Sequence, residues 1–176
     1  MTEARTGQIK HGAIHEFLAA DHRRIDGYLA AARSHPGAVA PDAYNTFRSS
    51  LLRHIGVEEK ILLPAVRSLN GGTPLHVENR IRLDHGAIAA LLVPPPLPQV
   101  LNALDAILRV HDEFEERVSG LYELCDAIAA DQAAGIVMKM QKAPEVRLAP
   151  NVDNPNVLAA TGRALERAGY NFDDYA

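Results

Sequence analysis

Four histidines, His22, His54, His85 and His111, each interrupt an otherwise apolar stripe of helical spacing. Two of them are followed one turn later by a glutamate, Glu58 after His54 and Glu115 after His111. An unpaired ionisable group on a core face costs on the order of several kcal/mol, a large share of a domain's net stability. Six such groups at matched positions need compensation, and a bound metal is the usual reason for gathering them. Four imidazoles and two carboxylates are too many donors for one tetrahedral zinc, but they suit two ions bridged by the carboxylates. The mixed nitrogen and oxygen set favours iron or manganese over calcium and over thiolate-bound zinc. Two such ions need about ten to twelve positions and these side chains fill about eight, which leaves places for solvent and a small diatomic or peroxide ligand.

These donors must be positioned by helices. In steps of three and four, Leu101, Leu104, Leu108, His111, Glu115, Val118, Tyr122 and Cys125 form one stripe, which predicts a single helix through that stretch. An earlier stretch repeats it as Phe47, Leu51, His54, Glu58, Ile61 and Ala65, and even the off-stripe Glu59 has its double in Glu116. The other two histidines lie on a second pair of stripes, Ile14, Leu18, His22, Ile25, Leu29 and Ile81, His85, Ile88, Leu92. Leu18 answers to Ile81, Asp21 to Asp84, Ile25 to Ile88 and Leu29 to Leu92. The chain is therefore an internal duplication: a helix with Asp-His, then a helix with His-x-x-x-Glu-Glu, twice over.

After a loose lead-in to about residue 11, the first helix is predicted from Gly12 to about Ser34, where His35, Pro36 and Gly37 break it. Pro41 opens a second that runs to about Leu69, with Pro64 kinking it beyond the site. Asn70, Gly71 and Gly72 end it, and Thr73 and Pro74 suit the cap and first position of a third. A proline-rich link, Val93 to Pro98, leads to the fourth. From His22 to the first loop is about 12 residues and back to His54 about 13, roughly 18 and 20 Å of helix, so the two histidines meet at one height. An up-down-up-down four-helix bundle over residues 12–130 would bring all four to mid-height, where bundles hold their metals. Residues 131–176 read as a C-terminal extension packing on that bundle: helix over Gln132 to Lys142, a Pro/Asn-rich connection, and a short extra helix from Pro155 to Ala168 stopped by Gly169. Its aromatic tail, Tyr170, Phe172 and Tyr175, is expected to dock on the bundle or a second subunit.

Other candidates carry blander expectations. His11 and His15 suit a solvated helix end, and His35 and His76 the surface. Asp21 and Asp84, about 100° off the stripe, either orient a ligand imidazole or face water. Glu59 and Glu116 are expected in solvent, Tyr122 in the core, and the single Cys125 as a core thiol.

The chain has 176 residues, 47% apolar and 23% charged, enough for one domain with a sizeable core. A net charge of -4 shows no basic footprint, so no nucleic-acid partner is expected. The apolar run from Ala87 to Val93 stops at Pro94, far short of the roughly 20 residues a bilayer span needs, so no membrane is expected either. Without a signal-like N-terminus or a disulfide framework, a cytoplasmic setting is the default.

His22, then His54-Ile-Gly-Val-Glu58-Glu59, then Asp84-His85, then His111-Asp-Glu-Phe-Glu115-Glu116 together resemble the hemerythrin-like HHE cation-binding domain over roughly residues 12 to 130. The resemblance implies a non-haem di-iron site with His22, His54, His85 and His111 as terminal ligands and Glu58 and Glu115 as bridging carboxylates, manganese or zinc being substitutes. Ala89 stands where oxygen carriers of that family have a fifth histidine, so the pattern is similar to the branch with two His-x-x-x-Glu helices. In the carriers the fourth helix's carboxylate would fall on Glu116, whereas the stripe favours Glu115. With fewer imidazoles more positions are open, which favours redox turnover of O2, peroxide or NO over quiet storage. The alternative is an iron- or oxygen-sensing module that signals to a partner without turnover, and a third is a metal-free structural bundle. A homodimer or a separate redox protein would complete the partners.

Overall fold

The computed structural model describes residues 11–34 and 38–176, and its regular structure is helical, with no β-strand among the described residues. The expected lead-in before residue 11 and the His35-Pro36-Gly37 break lie outside the described residues.

Helix α1 spans Ala13–Ala32. Its N-cap, Gly12, has no side chain to offer the first free amides, and Asp126 supplies the cap from far along the chain, accepting from the amides of Ile14 and His15 at 3.0 Å each. Pro41 opens α2, Pro41–Val57, as expected. The second helix does run to Leu69, but through one π-helical turn, Glu58–Leu62, before α3, Leu63–Leu69. Pro64 would press its ring on a carbonyl in a regular helix. The wider turn just before it, in which the Leu63 amide reaches back five residues to the Glu58 carbonyl, is how the strain is absorbed. The irregularity thus begins at Glu58, inside the site, and not beyond it.

Helix α4 spans Glu78–Leu91 and starts four residues later than the Thr73-Pro74 pair suggests. Gly71 and Gly72 both adopt left-handed backbone, and the Asn70 amide takes the Thr73 carbonyl at 2.9 Å, the group an N-cap would use for the first helical bond. Helix α5, Pro98–Glu116, is the main departure from expectation. The stripe predicted to run unbroken to Cys125 is interrupted at Arg117–Gly120 and resumes in α6, Leu121–Ala129. Val118, assigned to the stripe, is 74% exposed. A short turn leads to α7, Ala133–Gln141, and a long connection to α8, Pro155–Ala168, where Asn154 caps the Asn156 amide at 2.8 Å and Gly169 closes the helix in left-handed backbone.

The apolar side chains form two clusters, and each site helix passes from one to the other through its histidine. Ile14 and Leu18 of α1 lie in one, Ile25 and Leu29 in the other. Phe47 and Leu51 of α2 lie with Ile25, Val57 with Leu18. Ile81 and Ile88 divide α4 likewise, while α5 brings Leu101, Leu104 and Leu108 to the Ile25 cluster and Phe114 to the other. Burial of such side chains contributes about 1.5 to 3 kcal/mol each, and the two apolar layers fix the heights of the polar layer they enclose. Helix α8 packs on α4. The tail follows it onto the Ile25 cluster, tied by Gln99 to the Phe172 carbonyl at 2.9 Å and by Asn102 to the Tyr175 carbonyl at 3.2 Å. No helix among the described residues is long and apolar enough to cross a membrane.

Candidate metal centre

All six expected donors are buried in the layer enclosed by the two clusters. Their ligand atoms fall into two groups sharing both glutamates: His22, His54, Glu58, Glu115 and Glu58, His85, His111, Glu115, the atoms of each group lying within 4.8 Å of one another. Each glutamate presents one oxygen to each group. Glu58 Oε1 lies 3.4 Å from His54 Nε2 and Oε2 3.1 Å from His85 Nε2. Glu115 Oε2 lies 3.3 Å from His22 Nε2 and Oε1 3.3 Å from His111 Nε2. Glu115, not Glu116, is the inward carboxylate, as the stripe geometry requires.

The other ring nitrogens point to four more carboxylates. His22 Nδ1 meets Glu116 at 2.7 Å, His54 Nδ1 meets Asp21 at 3.1 Å and His85 Nδ1 meets Glu59 at 2.9 Å. His111 Nδ1 faces Asp84 at 3.6 Å, too far for a hydrogen bond but close enough for an ion pair. An Nδ1–H donated outward leaves Nε2 as a bare lone pair directed inward, the tautomer a metal ligand needs. Of the two options for Asp21 and Asp84, the structure places both in the interior beside an imidazole. Glu59 and Glu116 are corrections: expected in solvent, each turns back to hold a histidine of the other repeat. Arg24 pairs with Asp21, Arg80 with Asp84 at 2.8 Å and Arg82 with Glu59 at 3.5 Å, so three of these outer charges are partly offset.

One further expectation fails and another holds only in part. His15 is 6% exposed rather than solvated, stacked on His11 and set edge-on against Tyr122. Tyr122 is fully buried in the cluster with Ile14 and Leu18, as expected, but its hydroxyl enters the site. Its hydroxyl lies 2.7 Å from Glu58 Oε1, 2.8 Å from Glu115 Oε2, 2.9 Å from His22 Nε2 and 3.4 Å from His54 Nε2. A continuous helix would carry Tyr122 well away from Glu115, and the break at Arg117–Gly120 is what brings it back. The signal that foretells this is the Ser119-Gly120 pair, a common punctuation of helices. His76 is exposed and Cys125 buried, both as expected.

Burial disfavours charge on His54 and His85, but nearby carboxylates outweigh it. Glu58 and Asp21 lift His54 to about 9, and Glu58 and Glu59 lift His85 to about 10. Burial likewise opposes ionisation of Glu58, yet the His54 and His85 imidazoles hold its carboxyl well below the usual carboxylate range. Cation is what this layer of carboxylates asks for. Asp112, with Oδ1 3.6 Å from His22 Nε2, is lifted by burial to about 6.

The donors fit a metal pair on a further observation. Glu58 Oε2, Glu115 Oε1 and His85 Nε2 are buried without a hydrogen-bond partner, although Glu58 Oε2 and His85 Nε2 are close. With Nδ1–H given to Glu59, these are lone pairs facing lone pairs, an arrangement that only a proton or a cation relieves. No family model matches the chain, and no curated protein or solved structure matches it either.

Proposed function

We propose that the chain is a hemerythrin-like di-iron protein that binds or reacts with O2, peroxide or NO, its donors held in an up-down-up-down four-helix bundle. The passage of α1, α2, α4 and α5 from one apolar cluster to the other in alternating order supports that bundle. The observation that carries the reading is that both glutamates divide their oxygens across two groups of imidazole nitrogens whose opposite faces are all turned to carboxylates. His22, His54, His85 and His111 would be terminal ligands and Glu58 and Glu115 bridges, with manganese or zinc as substitutes. Bound there, iron supplies one-electron steps and open positions for a small oxidant.

The chain's own part is to orient and to exclude water. Glu116, Asp21 and Glu59 fix the tautomers of His22, His54 and His85, Asp84 pairs by charge with His111, and the two apolar layers keep bulk water out. A cavity of about 470 Å³ at α1 and α5 is lined in part by Asp26 and Leu108, each one helical turn from a residue of the site, His22 and Asp112 respectively. The test is metal analysis of anaerobically purified protein followed by addition of peroxide. Two irons per chain and loss of peroxide that disappears in Glu58→Ala are expected. Protein that takes up no iron, or turnover undiminished by Glu58→Ala, would overturn the reading.

A sensing role has one observation in its favour. Arg80, which holds Asp84 beside His111, also donates to the Tyr170 hydroxyl at 2.8 Å, so a line of polar contacts runs from the site to the tail. Sensing predicts that metal removal makes the tail protease-sensitive while no turnover is seen. A homodimer, or a redox protein docking near the cavity, belongs to the same proposal.

A further inference from the structure

The duplication predicts two equivalent metal positions, and the structure departs from that at one side chain. Seven residues after Glu115 stands Tyr122, whereas seven after Glu58 stands Ala65, whose side chain ends in a methyl group and offers no donor. The Tyr122 oxygen lies 2.7 to 3.4 Å from four atoms, Glu58 Oε1, Glu115 Oε2, His22 Nε2 and His54 Nε2, all belonging to one group of ligands. A phenol has one proton and satisfies one acceptor well, so hydrogen bonding does not require four partners. Neighbouring donors of a six-coordinate ion with bonds of about 2.1 Å are roughly 3 Å apart. The oxygen therefore stands as an adjacent donor to all four. On the other side, Glu58 Oε2, His85 Nε2 and Glu115 Oε1 have no such neighbour and no hydrogen-bond partner.

We infer that the Tyr122 oxygen is a seventh protein donor, serving the His22/His54 position alone, so that the two metals of the pair are chemically different. This rests on reading the six side chains as a metal site. Ligation replaces the O–H bond with an oxygen–metal bond and releases the proton to the buffer. The His85/His111 position keeps only nitrogen and shared carboxylate donors and is the more open of the two. Tyr122 is positioned for this by the tight reversal at Gly120 and by the edge-on contact of the His15 ring, 5.8 Å between centroids.

The experiment loads the full chain with iron(III), supplied as its nitrilotriacetate complex, and reads iron content and visible absorption together. Two irons per chain with a phenolate-to-iron charge-transfer band are expected, together with tyrosine ring modes in resonance Raman spectra that shift when the tyrosines are ring-deuterated. Tyr122→Phe should keep two irons and lose the band, while Tyr44→Phe, with its ring in the distant apolar cluster, should keep both. The ring modes of the unmutated protein decide the matter even where Tyr122→Phe does not fold. Two irons without phenolate modes, or a band that survives in Tyr122→Phe, overturns the inference and leaves the metal site standing. Failure of the unmutated chain to take up two irons overturns the site itself and the inference with it.

Discussion

Asp126 shows how a single carboxylate can join distant stretches of chain. It accepts from two amides at the start of α1, where the helix leaves its donors free and where negative charge is favoured. Asp126→Ala should therefore cost about 1 to 2 kcal/mol, read as a lower midpoint in urea denaturation with an unchanged slope. The site histidines give a second prediction. In the metal-free protein His54 and His85 are lifted to about 9 and about 10, above the ordinary value of about 6.5 that they take when unfolded. A raised value contributes stability that is complete below about pH 6.5 and is lost as pH rises through 9 to 10. The metal-free protein should thus denature more easily at pH 10 than at pH 6.5, whereas metal affinity should rise with pH because binding displaces those protons. The six inner donors were legible from spacing because each replaces an apolar residue on a stripe. Glu59 and Glu116 were not, because periodicity places a residue on a face but does not say which neighbouring helix its long side chain will reach.

The reversal at Arg117–Gly120 is the element that brings Tyr122 to the inner donors. A β-carbon on Gly120 would lie 2.6 to 2.7 Å from the carbonyl oxygens of Phe114, Glu115 and Arg117, all backbone and unable to yield cheaply. Gly120→Ala should cost about 1 to 3 kcal/mol by overpacking and should shift α6, so a lower melting temperature is expected together with a weaker Tyr122 signature. An unchanged melting temperature would show that the turn is looser than its geometry. Sequence periodicity ran straight past this break because Tyr122 and Cys125 resume core contacts on the far side, as an unbroken stripe also would. The late start of α4 was hidden for a similar reason: Thr73 and Pro74 are good helix-opening residues, but the Asn70 side chain takes the carbonyl that the cap would need. Pro64 does disturb its helix, but the π-helical turn that accommodates it begins at Glu58 and not beyond the site, a backbone adjustment that no residue type spells out.

For the molecule as a whole, metal and fold should be coupled. A ligand that binds only the folded chain, at a free concentration one hundred times its dissociation constant, adds about 2.7 kcal/mol. Chelation followed by thermal melting should reveal a drop of that order, and a melting curve indifferent to chelator would count against a coupled site. The internal repeat within residues 12–130 was visible in the sequence, and so was the helical class. What the repeat could not disclose is the crosswise arrangement of its outer carboxylates. Asp21 and Asp84 serve a histidine of their own repeat, but Glu116 reaches His22 and Glu59 reaches His85 across to the other. Neither half of the chain owns a complete centre: each lends the other a ligand's anchor and half of a bridge. Ions bound there would act as rivets at the seam of two sister segments, and how fully they were seated would also measure how firmly the sisters are joined.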